Sequence, residues 1–499
     1  MVHPSSSEFL TLSQKGNLIP IYKEILGDLE TPVSAYFKLA QHAKYSFLLE
    51  SVEGEEKIAR YSFLAKDPEL VFESKDRTAQ IIRFENDKPV RNQFKIVDSP
   101  LSFLREIMAQ YKLVPIAGLP RFCGGMVGFL GYDTVRFFEN LPHKPVDTLS
   151  LPDALFILAK NLVIFDHVSH KIKIVSCAHI NSKASRQEKL RAYRKAEDEI
   201  GKLIHQLNMP LPKKQGKITR PEKIKVASNF SQPQFEKIVI EAKKKITAGD
   251  IIQVVLSQRF RLKLQTDPFN VYRALRSVNP SPYMYCLNFG DLHIIGSSPE
   301  MLVRCEDGIV ETRPIAGTRP RGKNDAEDQA LIKDLLADPK ERAEHTMLVD
   351  LGRNDLGRVC KNGTVKVSEF MSIEKYSHVM HIVSSVTGTL RHDKDPFDVL
   401  QAAFPAGTVS GAPKIRAMEI IDELETVSRG PYAGCVGYFS FSGNLDTCIT
   451  IRTIVVSGRD AYVQAGGGIV ADSNPKNEYL ETVNKAKAPM MAIHMAQEH

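Results

Sequence analysis

The amino-acid sequence predicts an α+β fold whose strands pair mainly in antiparallel fashion. Two observations lead to this prediction, and both are runs of short strands joined by tight turns. The strands of these runs are predicted at 283–289, 292–295, 301–305 and 309–315, and again at 437–441, 447–456 and 461–465. Because such short connections join antiparallel neighbours, the pattern favours two meanders over a doubly wound parallel sheet.

The helices are predicted from capping residues and from apolar residues at helical spacing. Ser231 and Gln234 form a capping box for a helix that ends at Gly249. A charged helix with an apolar stripe is expected at 185–209. The polar, Pro- and Gly-containing stretch at 210–224 that follows is a predicted linker. It divides the chain into an N-terminal region, 1–209, and a C-terminal region, 225–495.

The composition is that of an ordinary globular protein and argues against several classes. The 499 residues are 43% hydrophobic and 25% charged. No apolar run approaches the roughly 18–20 residues of a membrane helix, and no secretory signal is recognised. The net charge of +7 comes without a dense basic cluster, which makes nucleic-acid binding a weak alternative. Seven cysteines without a Cys-x-x-Cys pair favour the reducing cytoplasm over a disulfide framework or a zinc site.

Two of the predicted helices carry carboxylates. The first begins at Asp338 and contains Glu341, which can close a capping box, and Glu344, which has no such local role. The second begins at Asn474 and places three charged residues on one face: Glu478, Glu481 and Lys485. Carboxylates from two helices are ligands that Mg²⁺ takes together with substrate and water. By spacing alone, a solvated helix face with a Glu481–Lys485 ion pair is favoured over a metal site.

Several weaker signals accompany the carboxylates. A Gly-Thr step at 317–318 and the glycine run 466–468 follow predicted strands, so their backbone could approach a ligand closely. Arg452 could bind a carboxylate in bidentate fashion or form a cross-strand ion pair. Glu300 and His381 are candidate acid–base residues, although a solvated glutamate and a buried histidine are the commoner interpretations.

Taken together, the motifs resemble those of the chorismate-binding enzymes. They lie in that family's order, across about 225–495, over half the chain. The matching segments are PIAGTRPRG at 314–322, LVDLGRND at 348–355, TVSGAPK at 408–414, DTCITIRT at 446–453 and the stretch 466–485. The resemblance implies a layered α/β/β/α sandwich of two mainly antiparallel sheets, to which the N-terminal region also contributes.

The resemblance also implies the roles of individual residues. Glu344 and Glu481 would bind Mg²⁺, which bridges the ring carboxylate of chorismate to the protein. Glu300 would be the general acid and His381 the base, with Thr408 orienting the intermediate. The remaining substrate oxygens would be held by Gly317, Thr318, Tyr432, Arg452, Gly466, Gly467 and Gly468, with Lys485 nearby.

Two positions discriminate between products within the family. Aminodeoxychorismate synthases typically have lysine at the position of Ala316, and isochorismate and salicylate synthases have it at the position of Gln253. A neutral glutamine cannot activate water as a base, which fits ammonia as the nucleophile. The resemblance therefore implies a lyase that makes anthranilate and pyruvate from chorismate and ammonia. The alternatives are another chorismate-utilising enzyme of the same fold and a non-catalytic sensor of chorismate or tryptophan.

Regulation and partners are likewise implied by the resemblance. Ser51 and the segment Pro282-Tyr283-Met284 resemble a tryptophan feedback site, as expected of an enzyme at the first committed step of tryptophan biosynthesis. The segment 434–437 misses the G-x-C-x-G elbow of a glutamine amidotransferase by one position. A separate glutamine amidotransferase subunit is thus expected to supply ammonia, in a heterotetramer.

Overall fold

The structure is a computed structural model that describes residues 2–51, 60–85, 88–96, 98–211, 225–376 and 379–498. Most of the predicted linker, residues 212–224, lies outside the described residues. None of the described helices is long and apolar enough to cross a membrane.

Eleven α-helices and two short 3₁₀-helices are present among the described residues. The 3₁₀-helices span Tyr132–Phe137 and Gly407–Val409. The α-helices are α1 (Ser6–Leu12), α2 (Pro32–Leu39), α3 (Pro100–Ala109), α4 (Arg186–Leu207), α5 (Gln232–Thr247), α6 (Pro268–Val278), α7 (Asp325–Ala337), α8 (Pro339–Gly357), α9 (Pro396–Ala403), α10 (Lys414–Leu424) and α11 (Pro475–Glu498). The charged helix α4 and the capping box of α5 confirm the local predictions.

The described strands form two sheets of twelve strands each. The first sheet contains β1 (Leu18–Leu26), β2 (Tyr45–Glu50), β3 (Tyr61–Lys66), β9 (Asn161–Asp166), β10 (Lys171–His179), β11 (Ala227–Ser228), β12 (Gln253–Lys263), β13 (Tyr283–Phe289), β14 (Leu292–Ser298), β20 (Gly411–Ala412), β23 (Thr453–Ser457) and β24 (Asp460–Ile469). The second contains β4 (Leu70–Lys75), β5 (Thr78–Glu85), β6 (Lys88–Lys95), β7 (Gly125–Leu130), β8 (Ala154–Ala159), β15 (Met301–Glu306), β16 (Ile309–Thr312), β17 (Ile315–Pro320), β18 (Lys366–Lys375), β19 (Val379–Thr389), β21 (Cys435–Ser440) and β22 (Leu445–Ile449).

Strands from both regions of the sequence pair within each sheet. In the first sheet β2 pairs with β13, so that Glu50 lies opposite Met284. In the second sheet β7 pairs with β21, so that Val127 lies opposite Tyr438. Both pairings are antiparallel, and they join segments that are far apart in the sequence.

The main hydrophobic core lies between the two sheets, where aromatic rings such as Phe122 and Tyr438 stack at 4.2 Å. A second core covers the outer face of the first sheet, against helices α2, α4, α6 and α11. Helices α3, α7, α8 and α9 contact strands of the second sheet. The α+β sandwich of two mainly antiparallel sheets is therefore confirmed.

The prediction of two simple meanders was wrong, because both runs pass from one sheet to the other. The predicted strand 447–456 is divided into β22 in the second sheet and β23 in the first. The other run crosses between β14 and β15. Glu300 lies at one crossing and Arg452 at the other. The crossings are hydrogen-bonded to each other, since the Ile449 amide donates to the Glu300 carbonyl at 3.0 Å.

Candidate active site

A cavity of about 650 Å³ opens beside the two strand crossings. Most of the residues singled out in the sequence line this cavity. They are Glu300, Gly317, Thr318, Glu344, His381, Tyr432, Arg452, Gly466, Gly468, Glu481 and Lys485. Gly467 is the central residue of the same glycine run, and Thr408 adjoins Glu300. The fold thus brings together side chains that lie almost two hundred residues apart in the sequence.

Glu300 is the most deeply enclosed carboxyl of the cavity. It follows Pro299 at the crossing from β14 to β15, and only 7% of the residue is exposed. Burial raises the pKa of Glu300 to about 8, and Thr408 and the charge of Lys485 oppose the shift only partly. The Thr408 hydroxyl lies close enough to Glu300 to lower its pKa, but it is buried without a well-formed hydrogen bond to any described residue. Glu300 is therefore protonated at neutral pH and can donate a proton.

His381 is held in one orientation by the neighbouring strand. β17 bulges between Ala316 and Thr318, and Gly317 takes a positive φ of 68° that favours glycine. The Nδ1 atom of His381 lies 3.1 Å from the Gly317 carbonyl and 3.0 Å from the Thr318 hydroxyl. Because a carbonyl only accepts, Nδ1 carries the proton and Nε2 is left as an acceptor. Burial lowers the pKa of His381 below the ordinary histidine value of 6.5, so the ring is neutral at pH 7 and above.

The glycine run 466–468 lets backbone form one wall of the cavity. It belongs to β24, which pairs with β12. A Cβ atom added to Gly468 would lie 2.3 Å from Nε2 of Gln253, and one added to Gly466 would lie 2.8 Å from the Leu256 carbonyl oxygen. No side chain larger than hydrogen fits at these two positions without displacing neighbours, so both are restricted to glycine and their main chain lines the cavity.

The cationic residues of the cavity lie at the second strand crossing and on α11. Arg452 has a φ of 52°, which turns the chain from β22 toward β23, and burial lowers its pKa. Lys485 donates to the Gly466 carbonyl at 3.0 Å and pairs with Glu481 at 2.6 Å. Tyr432 is buried, and its burial raises the pKa of the phenol to about 12. A guanidinium, an ammonium and a neutral phenol thus face the same space.

Two helix starts aim carboxylates into the cavity. Sequence reasoning named Glu344 on α8 and Glu481 on α11, but Glu341 and Glu478, one turn earlier on the same helices, line the cavity too. The capping-box interpretation of Glu341 was wrong, because Asp338 alone accepts the helix amides. The Glu341 side chain turns toward the cavity and contacts Arg319 at 3.4 Å. The repeated i, i+3 spacing of the carboxylates was the signal in the sequence.

The two carboxylates on each helix repel each other, and a bound cation would relieve this repulsion. Burial raises the pKa of Glu341, and the negative charge of Glu344 raises it further. Burial and the charge of Glu481 raise the pKa of Glu478 in the same way. One carboxylate oxygen of Glu478 is buried without a partner among the described residues. The described part of the chain contains no group of three potential metal ligands. Paired carboxylates with an unpartnered buried oxygen are nevertheless a donor set of the kind that Mg²⁺ takes, because it binds one or two carboxylates and completes its shell with substrate and water oxygens.

The four residues proposed for tryptophan lie at the ends of the paired strands β2 and β13. Met284 pairs with Glu50, whose neighbour Ser51 has a buried hydroxyl without a partner in the described chain. Pro282 precedes β13, and the Tyr283 hydroxyl donates to Asp446 of the second sheet at 3.0 Å. The preceding residues 279–281 line the main cavity, so one short segment joins the two places.

Comparison with known proteins agrees with this architecture. The family model described as chorismate binding enzyme matches residues 45–491, and the chain belongs to this family of enzymes. Within the family it falls among the anthranilate synthase component 1 proteins. The chain is 51% identical to anthranilate synthase component 1 of Acetivibrio thermocellus, with 100% of both chains covered. It is 50% identical to that of Aquifex aeolicus, over 99% of this chain and 98% of the relative.

A solved structure has the same overall fold. The crystal structure of anthranilate synthase component I from Streptococcus pneumoniae matches with a TM-score of 0.75 and 40% identity. The match covers 93% of this chain and 98% of that one. The resemblance found in the motifs, the enzyme class it implied and the two-sheet fold are all confirmed.

Proposed function

We propose that this chain converts chorismate and ammonia into anthranilate, pyruvate and water, the first committed step of tryptophan biosynthesis. One observation supports this most directly. A protonated buried carboxyl, Glu300, and a neutral histidine, His381, line the same cavity as two pairs of helix carboxylates. The reaction needs such a set, because it removes a hydroxyl group and later a ring proton.

Magnesium would be held by Glu344 and Glu481, with Glu341 and Glu478 close behind them. When bound, the cation stabilises the negative charge that develops on the ring carboxylate of chorismate. The chain itself supplies the contacts to the other substrate oxygens. Arg452 binds a carboxylate through its guanidinium, and the backbone at Gly317, Thr318 and 466–468 presents groups to the remaining oxygens. Tyr432 and Lys485 complete this binding surface.

The chain's residues then move two protons. As ammonia adds at C2 of chorismate, Glu300 donates a proton to the C4 hydroxyl, which leaves as water. His381 then takes the C2 proton through Nε2 and the C3–O bond breaks, so that the ring becomes aromatic. The enolpyruvate that leaves takes up a proton at its methylene carbon and becomes pyruvate. Thr408, beside Glu300, orients the aminated intermediate. Each properly placed acid or base contributes about 10²–10⁴-fold to such a step.

Gln253 and Ala316 support ammonia as the nucleophile. Gln253 donates through its amide to Glu344 at 3.1 Å. An amide at this position cannot take a proton from water, and Ala316 offers no amine to the substrate. The cavity therefore lacks, at these two positions, the lysines that resemblance connects with the other products of the family.

The direct test measures product. The purified chain, chorismate, Mg²⁺ and an ammonium salt are incubated near pH 8, and the fluorescence of anthranilate is followed. Chromatography of the products separates anthranilate from aminated or hydroxylated relatives. Formation of isochorismate or aminodeoxychorismate instead would contradict the proposal, and so would binding of chorismate without turnover.

The proposal extends to regulation and assembly. Tryptophan binds at Ser51, Pro282, Tyr283 and Met284 and inhibits the enzyme, and a glutamine amidotransferase subunit delivers ammonia within a heterotetramer. All seven cysteines are buried and free, in keeping with the cytoplasm. The Ser51→Arg variant should lose inhibition by tryptophan while keeping its turnover. Unchanged inhibition in this variant would remove the regulatory assignment and leave the catalytic one standing.

A further inference from the structure

A second, much smaller cavity lies behind the active site. It has a volume of about 10 Å³ and sits on the inner face of the first sheet, against β12, β23 and β24. Tyr432 and Gln464 line both cavities and form the partition between them. The polar residues that line only the small cavity are Arg259, Arg429, Thr450, Thr453 and Tyr462.

Two polar side chains of the small cavity have hydrogen-bonding capacity left over. The Thr450 hydroxyl oxygen and the Oε1 atom of Gln464 are buried without a partner among the described residues. Thr450 is entirely buried, and 7% of Gln464 is exposed. Such orphaned groups cost about 1–3 kcal/mol each unless a bound molecule satisfies them.

The orientation of the Gln464 amide is fixed by its neighbours. Arg429 pairs with the buried carboxylate of Glu425, which accepts a hydrogen bond from the Ser257 hydroxyl at 2.9 Å. Since Ser257 donates its proton there, its oxygen accepts from the Gln464 amide nitrogen, at 2.9 Å. Oε1 of Gln464 is thereby left as an acceptor, and the Thr450 hydroxyl is free to donate.

The size and charge of the cavity restrict what it can hold. About 10 Å³ is enough for a single molecule of the size of water. Arg259 donates to the neutral carbonyl of Ser428 at 3.1 Å and makes no ion pair with a described carboxylate. A guanidinium without a carboxylate directly paired to it disfavours a second cation at close range. The cavity thus selects a small neutral molecule that both donates and accepts hydrogen bonds.

We propose that this cavity holds neutral ammonia immediately before it attacks chorismate. The N–H groups of ammonia donate to Oε1 of Gln464, and its lone pair accepts from the Thr450 hydroxyl. Arg259 keeps the protonated, non-nucleophilic ammonium ion out. The site rests on the proposed function, in which ammonia is a substrate, and it assigns Thr450 and Gln464 to the nucleophile rather than to chorismate.

The test separates the two substrates kinetically. In the ammonium-dependent reaction, Thr450→Val removes the hydroxyl and keeps the volume of the side chain. We expect the KM for ammonium to rise roughly fivefold to tenfold, the loss of one hydrogen bond, while the KM for chorismate stays unchanged. Thr450→Ser, which keeps the hydroxyl, should restore the KM for ammonium. Thr450→Ala serves the same purpose as Thr450→Val if the latter does not fold.

A matched control is available nearby. Thr447 is also buried, and its hydroxyl donates to the Val303 carbonyl at 2.8 Å, away from both cavities. Thr447→Val should leave the KM for ammonium unchanged. An unaltered KM for ammonium in Thr450→Val, or an equal rise in both KM values, would show that the cavity holds only a structural water. Failure of the unsubstituted chain to make anthranilate would instead overturn the proposed function.

Discussion

The carboxyl groups of the active-site cavity fall into two regions with opposite surroundings. Glu300 sits at a strand crossing, closed off from solvent, with a pKa raised to about 8. Glu344 and Glu481 project from the second turns of helices α8 and α11, where an amide and an ammonium contact them. Glu481 keeps 47% of its side chain exposed.

The difference shows how one functional group serves two purposes. Enclosure by the protein makes ionisation of Glu300 costly, so that it retains a proton it can give away. The helix carboxylates are more open to solvent and accept from nearby donors, as suits ligands that a cation can reach. The positions in the fold, a buried crossing and an open helix end, therefore decide the chemistry.

The largest effect is expected from removing the proton of the enclosed carboxyl. Glu300→Gln keeps the shape of the side chain but cannot supply an acidic proton. We expect kcat to fall by about 10²–10⁴-fold with little change in the KM for chorismate, measured by anthranilate fluorescence. Glu369→Gln, an equivalent change on the exposed strand β18, is the control and should keep full activity. A Glu300→Gln variant with normal kcat would exclude Glu300 as the acid.

Loss of a carboxylate from the solvent-exposed region should weaken the binding of Mg²⁺. Glu481→Gln removes one negative ligand, and we expect the Mg²⁺ concentration for half-maximal activity to rise by roughly 10–100-fold. Titration of activity with MgCl₂ measures this directly. Glu498→Gln, at the far end of the same helix, should leave the titration unchanged. If Glu481→Gln matched the unsubstituted chain at limiting Mg²⁺, the cation would have to bind elsewhere.

The raised pKa of Glu300 also predicts how stability depends on pH. The unfolded carboxyl ionises near its ordinary pKa of 4.5, whereas the folded one holds its proton up to about 8. Its contribution to stability is thus complete below about pH 4.5 and is lost as the pH rises toward 8, by at most about 1.4 kcal/mol per pH unit. Urea unfolding of the chain and of Glu300→Gln at several pH values gives this difference. A pH-independent difference would contradict the enclosed state of Glu300.

The smallest effect is expected from the hydrogen bond between Tyr283 and Asp446, which connects the two sheets. It links the proposed tryptophan site to the strand that leads into the crossing at Arg452. Tyr283→Phe deletes the hydroxyl that donates to Asp446, three residues before Ile449. We expect the concentration of tryptophan for half-inhibition to rise roughly threefold to tenfold, with kcat nearly unchanged. Tyr36→Phe, which loses a comparable buried bond to Ser46, is the control. Equal inhibition of Tyr283→Phe and the unsubstituted chain would exclude this bond from the coupling.

Local features of the molecule were predictable from the sequence, whereas the strand crossings were not. The starts of α8 and α11 follow from Asp338 and Asn474, whose side chains accept the first helix amides. Turn residues also indicated antiparallel strands. Nothing local, however, distinguishes a strand that stays in its sheet from one that enters the opposite sheet. That choice depends on what each face packs against, and it is what places Glu300 and Arg452 together.

The direction of the Glu341 side chain was likewise not predictable from local sequence. Glu341 has a sufficient local explanation in its sequence, as a partner for its own helix terminus. Its actual direction is decided by Arg319 of β17, a contact across more than twenty residues. The motif resemblance named Glu344 and Glu481 but not Glu341, so this distant contact was missed by both kinds of sequence reasoning.

The pairing of β7 with β21 has a consequence for synthesis of the chain. The partner of β7 lies about 300 residues further on, which takes roughly 15–60 s to translate at 5–20 residues per second. During that interval the ribosome presents an apolar strand with one edge unpaired. A nascent chain of this architecture should therefore depend on early chaperone binding, and its aggregation during expression should respond to translation speed more than to the stability of the finished enzyme.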